Sequence, residues 1–181
     1  KLLKTKYANG DSLRYEYDTQ GRLVKEYYYS AASQKEQLLH YYVYDREGNL
    51  YRATDYASGK TYRMSYDFLD RLMRVRDEKG NAYQYTYDAN NNMIRLRHEA
   101  DGTNRTSAYT YDKDSREIRT TLGAITRNTA YDAWGRVKTQ DWKDGENQIF
   151  RVSYEYPDSG KNIISLPTAV VNGGSRTEYT Y

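Results

Sequence analysis

The sequence predicts an all-β protein, an antiparallel meander of hairpins, and three observations predict it. Tyrosine, a strand-favouring residue, occurs 23 times among 181 residues. The dipeptide Tyr-Asp recurs at Tyr17-Asp18, Tyr44-Asp45, Tyr66-Asp67, Tyr87-Asp88, Tyr111-Asp112 and Tyr131-Asp132, whereas composition alone would place about two such pairs, so the chain is read as an internal repeat. Glycines with turn chemistry punctuate the stretches between these pairs. No window carries a 3.6-residue apolar stripe, so no amphipathic helix is expected.

Each element of the unit has a local reason. Tyr15 and Tyr17, Tyr42 and Tyr44, Tyr85 and Tyr87, Tyr109 and Tyr111, and Tyr154 and Tyr156 stand two residues apart, which places each pair on one face of a strand. The Asp that follows starts a turn. Three residues later stands Gly21, Gly48 or Gly135, with Asn91 in the fourth copy. Asp at the first position and Gly at the fourth suit a type I turn, in which the carboxylate takes a backbone N–H and the glycine a positive φ. Asp70 and Ser115 hold the same place less comfortably. Arg22, Asn49, Arg71, Asn92, Arg116 or Arg136 follows. Leu23, Leu50, Leu72, Met93 or Val137 then opens the return strand. A second set of turns lies between these, at Asn9-Gly10, Ser58-Gly59, Lys79-Gly80, Asp101-Gly102, Asp144-Gly145 and Gly173-Gly174, all with hairpin chemistry. The expectation is about fifteen strands. Ser30–Gln37 interrupts the pattern and reads as a longer loop or a single helical turn.

The Asp-to-Asp steps are 27, 22, 21, 24 and 20 residues. Tyr154-Glu155-Tyr156-Pro157 continues the series with Pro157 in place of Asp. Residues 1–181 therefore read as a single array of about seven repeats, and both ends fall inside a repeat, as expected of a segment of a longer array. With Leu, Ile, Val and Phe together scarcely more numerous than Tyr, the tyrosine rings must supply the packing surface. The first tyrosine of each pair is expected to stack on its counterpart in the next repeat.

Composition excludes several functions. There is no cysteine, hence no disulfide scaffold, Cys-ligated zinc or Cys nucleophile. A net charge of +3 is too balanced for a dedicated nucleic-acid footprint, which needs basic residues on one face. No apolar run is long enough to span a membrane. The Asp residues serve as turn caps rather than acid–base pairs. His40 and His98 lack ligand-spaced partners, and neither a phosphate loop nor a nucleophile elbow is present. The chain is expected to be non-catalytic and to need no cofactor or metal.

Tyr15–Leu23 (Tyr-Glu-Tyr-Asp-Thr-Gln-Gly-Arg-Leu) and Tyr42–Leu50 (Tyr-Val-Tyr-Asp-Arg-Glu-Gly-Asn-Leu) resemble the RHS, or YD, repeat family, and the resemblance extends over nearly the whole chain. That family includes bacterial Rhs toxins, wall-associated proteins of Gram-positive bacteria, the BC shell of insecticidal toxin complexes and animal teneurins. The resemblance implies a curved, spiralling sheet that is a segment of a hollow β-shell, enclosing a C-terminal toxin or other cargo in bacterial members. The implied partners are further repeats of the same polypeptide and the enclosed domain, with no nucleic acid and no membrane span. The implied location is secreted or cell-wall associated in a bacterium. Pro157 and Ser115-Arg116-Glu117 depart from the repeat. The Asp-Pro motif of the family's self-cleaving core end does not occur, so neither that processing site nor a toxin domain is expected here.

Two functions stand side by side: a wall segment that contains cargo, and a module whose tyrosines bind cell-wall carbohydrate. The motif residues Tyr15, Tyr17, Asp18, Gly21, Tyr42, Tyr44, Asp45, Gly48, Tyr66, Asp67, Tyr85, Tyr87, Asp88, Asn91, Tyr109, Tyr111, Asp112, Tyr131, Asp132, Gly135, Tyr154 and Tyr156 read as structural. Phe68, Leu69, Trp134 and Trp142 are candidates for contact with an adjacent coil, or with cargo or ligand, because apolar turn tips are exposed in an isolated hairpin.

Overall fold

The computed structural model describes residues 1–157 and 166–179. Sixteen strands run in sequence order through one unclosed antiparallel sheet, with no helix among the described residues. The expected meander is therefore the architecture found. The chain divides into two compact units, one of Lys1–Tyr85 with His98–Thr103, the other of Thr86–Arg97 with Asn104–Tyr181.

The first unit contains β1 (Lys4–Lys6), β2 (Ser12–Tyr17), β3 (Leu23–Ser30), β4 (Lys35–Tyr44), β5 (Leu50–Asp55), β6 (Lys60–Tyr66) and β7 (Leu72–Asp77), and most of β8 (Ala82–Tyr87). β9 (Met93–Ala100) contributes to both units. The second contains β10 (Thr103–Tyr111) from its second residue onward, β11 (Glu117–Leu122), β12 (Ile125–Tyr131), β13 (Val137–Asp144), β14 (Asn147–Glu155), β15 (Ala169–Asn172) and β16 (Ser175–Glu178).

The Tyr-Asp hairpins at Tyr17, Tyr44, Tyr66, Tyr111 and Tyr131 each carry a bulge that alternation alone does not reveal. Tyr17 pairs with Leu23, but Glu16 pairs with Lys25, so Val24 is an extra residue. The same shift follows Tyr44↔Leu50, Tyr66↔Leu72, Tyr111↔Glu117 and Tyr131↔Val137. A one-residue bulge moves all later side chains of the return strand to the opposite face. Leu23, Glu26 and Tyr28 therefore share a face with Tyr15 and Tyr17, whereas Lys25 and Tyr27 lie opposite with Arg14 and Glu16.

The reading of Ser30–Gln37 needs correction. β3 runs through Ser30, residues 31–34 turn, and β4 resumes at Lys35, with no helical turn. Asp11 holds this turn, accepting the Ala31 N–H at 2.8 Å and the Tyr28 hydroxyl at 2.8 Å. The tyrosine-built core also takes a different form. All described strands belong to one sheet, and the buried apolar side chains among the described residues are small, Ala82, Val152 and Ala169. The tyrosines make a half-buried face rather than a closed interior.

Candidate interaction surface

The Tyr-Asp turns are built by one carboxylate each. Asp18 Oδ1 accepts the N–H groups of Gln20 and Arg22 at 3.0 and 2.9 Å, while Oδ2 accepts Arg22 Nε–H at 2.7 Å. The Gly21 N–H donates to the Asp18 carbonyl at 2.9 Å, and the Asp18 N–H to the Arg22 carbonyl at 3.0 Å. Asp67 with Arg71, Asp112 with Arg116 and Asp132 with Arg136 repeat this cage. Asp88 builds it with Asn92. Asp45 accepts the N–H of Gly48 and Asn49, and the Asn49 amide donates to Asp70 of the next turn at 2.7 Å. Backbone bonding and the Arg22 guanidinium hold the Asp18 carboxyl below its ordinary range, and Arg71 does so for Asp67. Asp112 is lowered by the Arg116 N–H and guanidinium. At Asp132 burial pushes upward, but bonding to Arg136 prevails and the carboxyl is again lowered.

The fourth turn residue has the expected left-handed backbone. φ is +86° at Gly21, +100° at Gly48 and +79° at Gly135, with Asn91 at +68°, and Asp70 and Ser115 at +58° and +60°. Gly135 serves a second purpose: a Cβ there would lie 3.0 Å from Arg116 Nη1 of the preceding repeat. Asp77-Glu78-Lys79-Gly80-Asn81 uses the same loop among the other set of turns, with Asn81 N–H on Asp77 Oδ1 at 2.8 Å.

At Tyr17, Tyr44, Tyr66, Tyr111, Tyr131 and Tyr156 the tyrosine directly before the turn links one repeat to the preceding one through its hydroxyl, a contact other than the ring stacking expected of the first tyrosines. The Tyr44 hydroxyl donates to the Leu23 carbonyl at 2.9 Å. Tyr17 does so to Leu2, Tyr66 to Leu50, Tyr111 to Met93, Tyr131 to Glu117 and Tyr156 to Val137, all at 2.8–3.0 Å. The reason is local splaying. Pairing of β3 with β4 ends at Lys25↔Tyr41, and that of β5 with β6 at Arg52↔Arg63. Beyond these points the carbonyls of Leu23 and Leu50 lie outside the ladder, and a phenolic O–H satisfies each. The arginine after the turn then covers the next tyrosine. Arg22 Cζ lies 4.5 Å from the Tyr44 ring centre, Arg116 5.0 Å from Tyr131 and Arg136 4.1 Å from Tyr156, within cation–π range. Burial raises the pKa of Tyr44, Tyr66, Tyr111, Tyr131 and Tyr156 above the free value. This chain of Asp, Arg, Tyr and carbonyl was only half visible in sequence, as an Arg recurring four residues after Asp.

Among the first tyrosines, Tyr42 stacks on His40 with ring centres 6.0 Å apart, and the Tyr154 hydroxyl donates to Gln140 at 3.4 Å. Tyr15 lies opposite Glu26, and Tyr109 opposite Thr120; Tyr85 and Tyr87 lie on β8. His40 Nδ1 is 2.8 Å from Glu26, and His98 stacks on Tyr83 at 4.3 Å. Among the described residues no group of three His, Asp or Glu converges on a metal position.

The four candidate contact residues divide. Phe68 is 91% exposed and Leu69 57%, at the tip of the Asp67 turn. Phe68 lines a groove of about 570 Å³ together with Asp45, Glu47, Asn49, Tyr51 and Met64. Trp134 is 54% exposed, its ring 5.1 Å from Arg136 Cζ. Trp142 is not at a turn. It lies on β13 directly opposite Phe150 of β14, ring centres 5.2 Å apart, and is part-buried.

The repeated geometry has counterparts. Residues 69–103 match the RHS Repeat family model. Residues 69–103 therefore resemble an RHS repeat. The tRNA nuclease WapA of Bacillus subtilis (strain 168) is 29% identical over 138 residues, which cover 72% of this chain and 6% of WapA. The tRNA(Glu)-specific nuclease WapA of Bacillus subtilis subsp. natto matches at the same identity and coverage. The chain thus spans a small fraction of the curated relatives it matches. The crystal structure of TcdB2-TccC3-Cdc42 shares the fold at a TM-score of 0.74, with 19% identity over 86% of this chain and 9% of that one. The crystal structure of TcdB2-TccC3-TEV gives a TM-score of 0.72 with 20% identity and the same coverage. The RHS repeat reading made from the tyrosine motif is thereby upheld.

Proposed function

We propose that this chain is a non-catalytic wall segment of an RHS shell, in a secreted or wall-associated bacterial protein, that contains and presents a toxin or other cargo domain. The observation that carries the reading is the repeated link from Asp and Arg of one repeat to the Tyr ring of the next, and from that hydroxyl back to the preceding carbonyl. It joins hairpins into a wall and satisfies backbone groups that would otherwise admit water and local opening. The match to WapA, named as a tRNA nuclease, and the fold shared with TcdB2-TccC3 favour a toxin-bearing parent. Containment is then mechanical: paired strands separate the cargo from solvent and proteases, and the wall contributes no reacting group.

The carbohydrate-module reading has less support. A sugar platform needs open ring faces, and guanidiniums lie over Tyr44, Tyr131 and Tyr156. Limited proteolysis of the full-length polypeptide tests containment. The cargo domain should resist protease while the wall is intact and become cleavable when the tyrosine–carbonyl links are removed by Tyr→Phe substitutions. Cargo cleaved equally fast in both proteins would refute containment.

A further inference from the structure

The face opposite the motif tyrosines carries a row of arginines on β5, β6 and β7. Arg52 pairs directly with Arg63, and Arg63 directly with Arg76. Neighbouring strands lie about 4.8 Å apart, so three like charges stand side by side, an arrangement that costs stability. Arg74 lies two residues from Arg76 on the same face, opposite Ser65 and Gln84.

Two other arginines of this face in the same unit are neutralised. Arg14 holds Glu16 and Glu36, each at 2.7 Å, and Lys25 lies 3.4 Å from Glu16. Arg74 reaches Glu99 at 3.3 Å. Among the described residues, no ion pair reaches Arg52, Arg63 or Arg76. Arg63 and Arg76 are exposed. The Nε atoms of Arg52 and Arg74 are shielded from solvent without a hydrogen-bond partner. A row of like charges left without counterions on the protein is complementary to an anionic partner.

The geometry points to a docking surface for an acidic polypeptide segment, with Arg52, Arg63 and Arg76 binding its Asp or Glu carboxylates. Guanidinium groups bond carboxylates through paired N–H donors. Thr54, Thr61 and Ser65 share the face and add hydroxyl donors. Two features disfavour a nucleic acid. The row offers few cations against the extended phosphate track such ligands need, and the tyrosine ring beside it, that of Tyr41 opposite Thr54, already has the Arg52 guanidinium 5.8 Å from its centre, a single covered ring rather than a run of stacking platforms for bases. This inference concerns the polar face and does not rest on the shell reading.

The test is fluorescence anisotropy of a labelled oligoglutamate peptide with the 181-residue chain, alongside labelled single-stranded and duplex deoxyoligonucleotides. Oligoglutamate should bind at low salt, weaken as salt rises, and lose about two- to fivefold in affinity for each of Arg63→Gln and Arg76→Gln. Arg14→Gln, which removes an already neutralised arginine, should leave the affinity unchanged. In the unaltered protein, NMR should show the Nε–H signals of Arg52, Arg63 and Arg76 moving on peptide addition, a readout independent of any variant's folding. Absence of oligoglutamate binding, equal loss with Arg14→Gln, unmoved Nε–H signals, or tighter binding of either oligonucleotide through the same arginines would overturn the assignment.

Discussion

Tyr44→Phe removes one oxygen and leaves the ring in place. The lost bond is the 2.9 Å donation to the Leu23 carbonyl, between part-buried groups. The Arg22 guanidinium, 4.5 Å from the ring centre, remains over it, so packing and cation–π attraction persist. A net intramolecular hydrogen bond is worth about 0.5–1.5 kcal/mol. Leu23 lies beyond the last paired residues of β3 and β4, so its carbonyl has no ladder partner to replace the hydroxyl. The expected loss is about 1 kcal/mol, confined to the junction of β3 and β4 because repeat arrays are stabilised by nearest-neighbour terms. Tyr44→Leu should cost about 1 kcal/mol more, through loss of the cation–π contact. Urea unfolding followed by circular dichroism measures the totals, and amide hydrogen exchange locates them in β3 and β4. Tyr51→Phe is the control, since Tyr51 is 48% exposed. If Tyr44→Phe and Tyr51→Phe agree within about 0.3 kcal/mol, the usual additivity error, the hydroxyl does not fasten the hairpins and the argument fails.

Three further outcomes follow from the same geometry. Gly135→Ala should cost about 1–2 kcal/mol for the left-handed backbone and displace Arg116, while Ser115→Gly should gain up to about 1 kcal/mol, less the entropy of glycine; thermal melts of both variants check the pair, and equal melting temperatures would refute the turn argument. Acid should loosen the Tyr-Asp turns: Asp18, Asp67, Asp112 and Asp132 have depressed folded pKa values, so their contribution is full above the ordinary Asp value of about 3.9 and fades as pH falls through the lower folded values, seen as faster exchange of the Arg22, Arg71, Arg116 and Arg136 amides. Phe68→Ser, at a tip 91% exposed, should leave stability within about 0.5 kcal/mol while reducing concentration-dependent association in light scattering; unchanged association would show that the tip contributes no adhesive surface.

The hairpins were legible in the sequence because each is decided within five residues. An Asp carboxylate fits the N–H groups two and four residues on, and only a residue tolerant of positive φ closes the loop. That is why Gly21, Gly48, Gly135 and Asn91 mark the turns, and why Asp70 and Ser115 stand out as less comfortable. The i,i+2 tyrosines likewise declare a shared face, because strand geometry has period two. What the sequence left open depends on register. The bulge after the Asp18 turn reverses the alternation of the return strand, so counting from Tyr17 would put Leu23 and Lys25 on the same face, whereas the structure separates them. The link from Tyr44 to Leu23 joins residues of different hairpins, and no local pattern announces which carbonyl will lie outside the ladder. Arg52, Arg63 and Arg76 are unremarkable in a nearly neutral chain, and a net charge of +3 gave no sign that they would meet. Only the pairing of β5 with β6 and of β6 with β7 brings them into one row, because charge summed along a chain carries no information about which side chains share a surface.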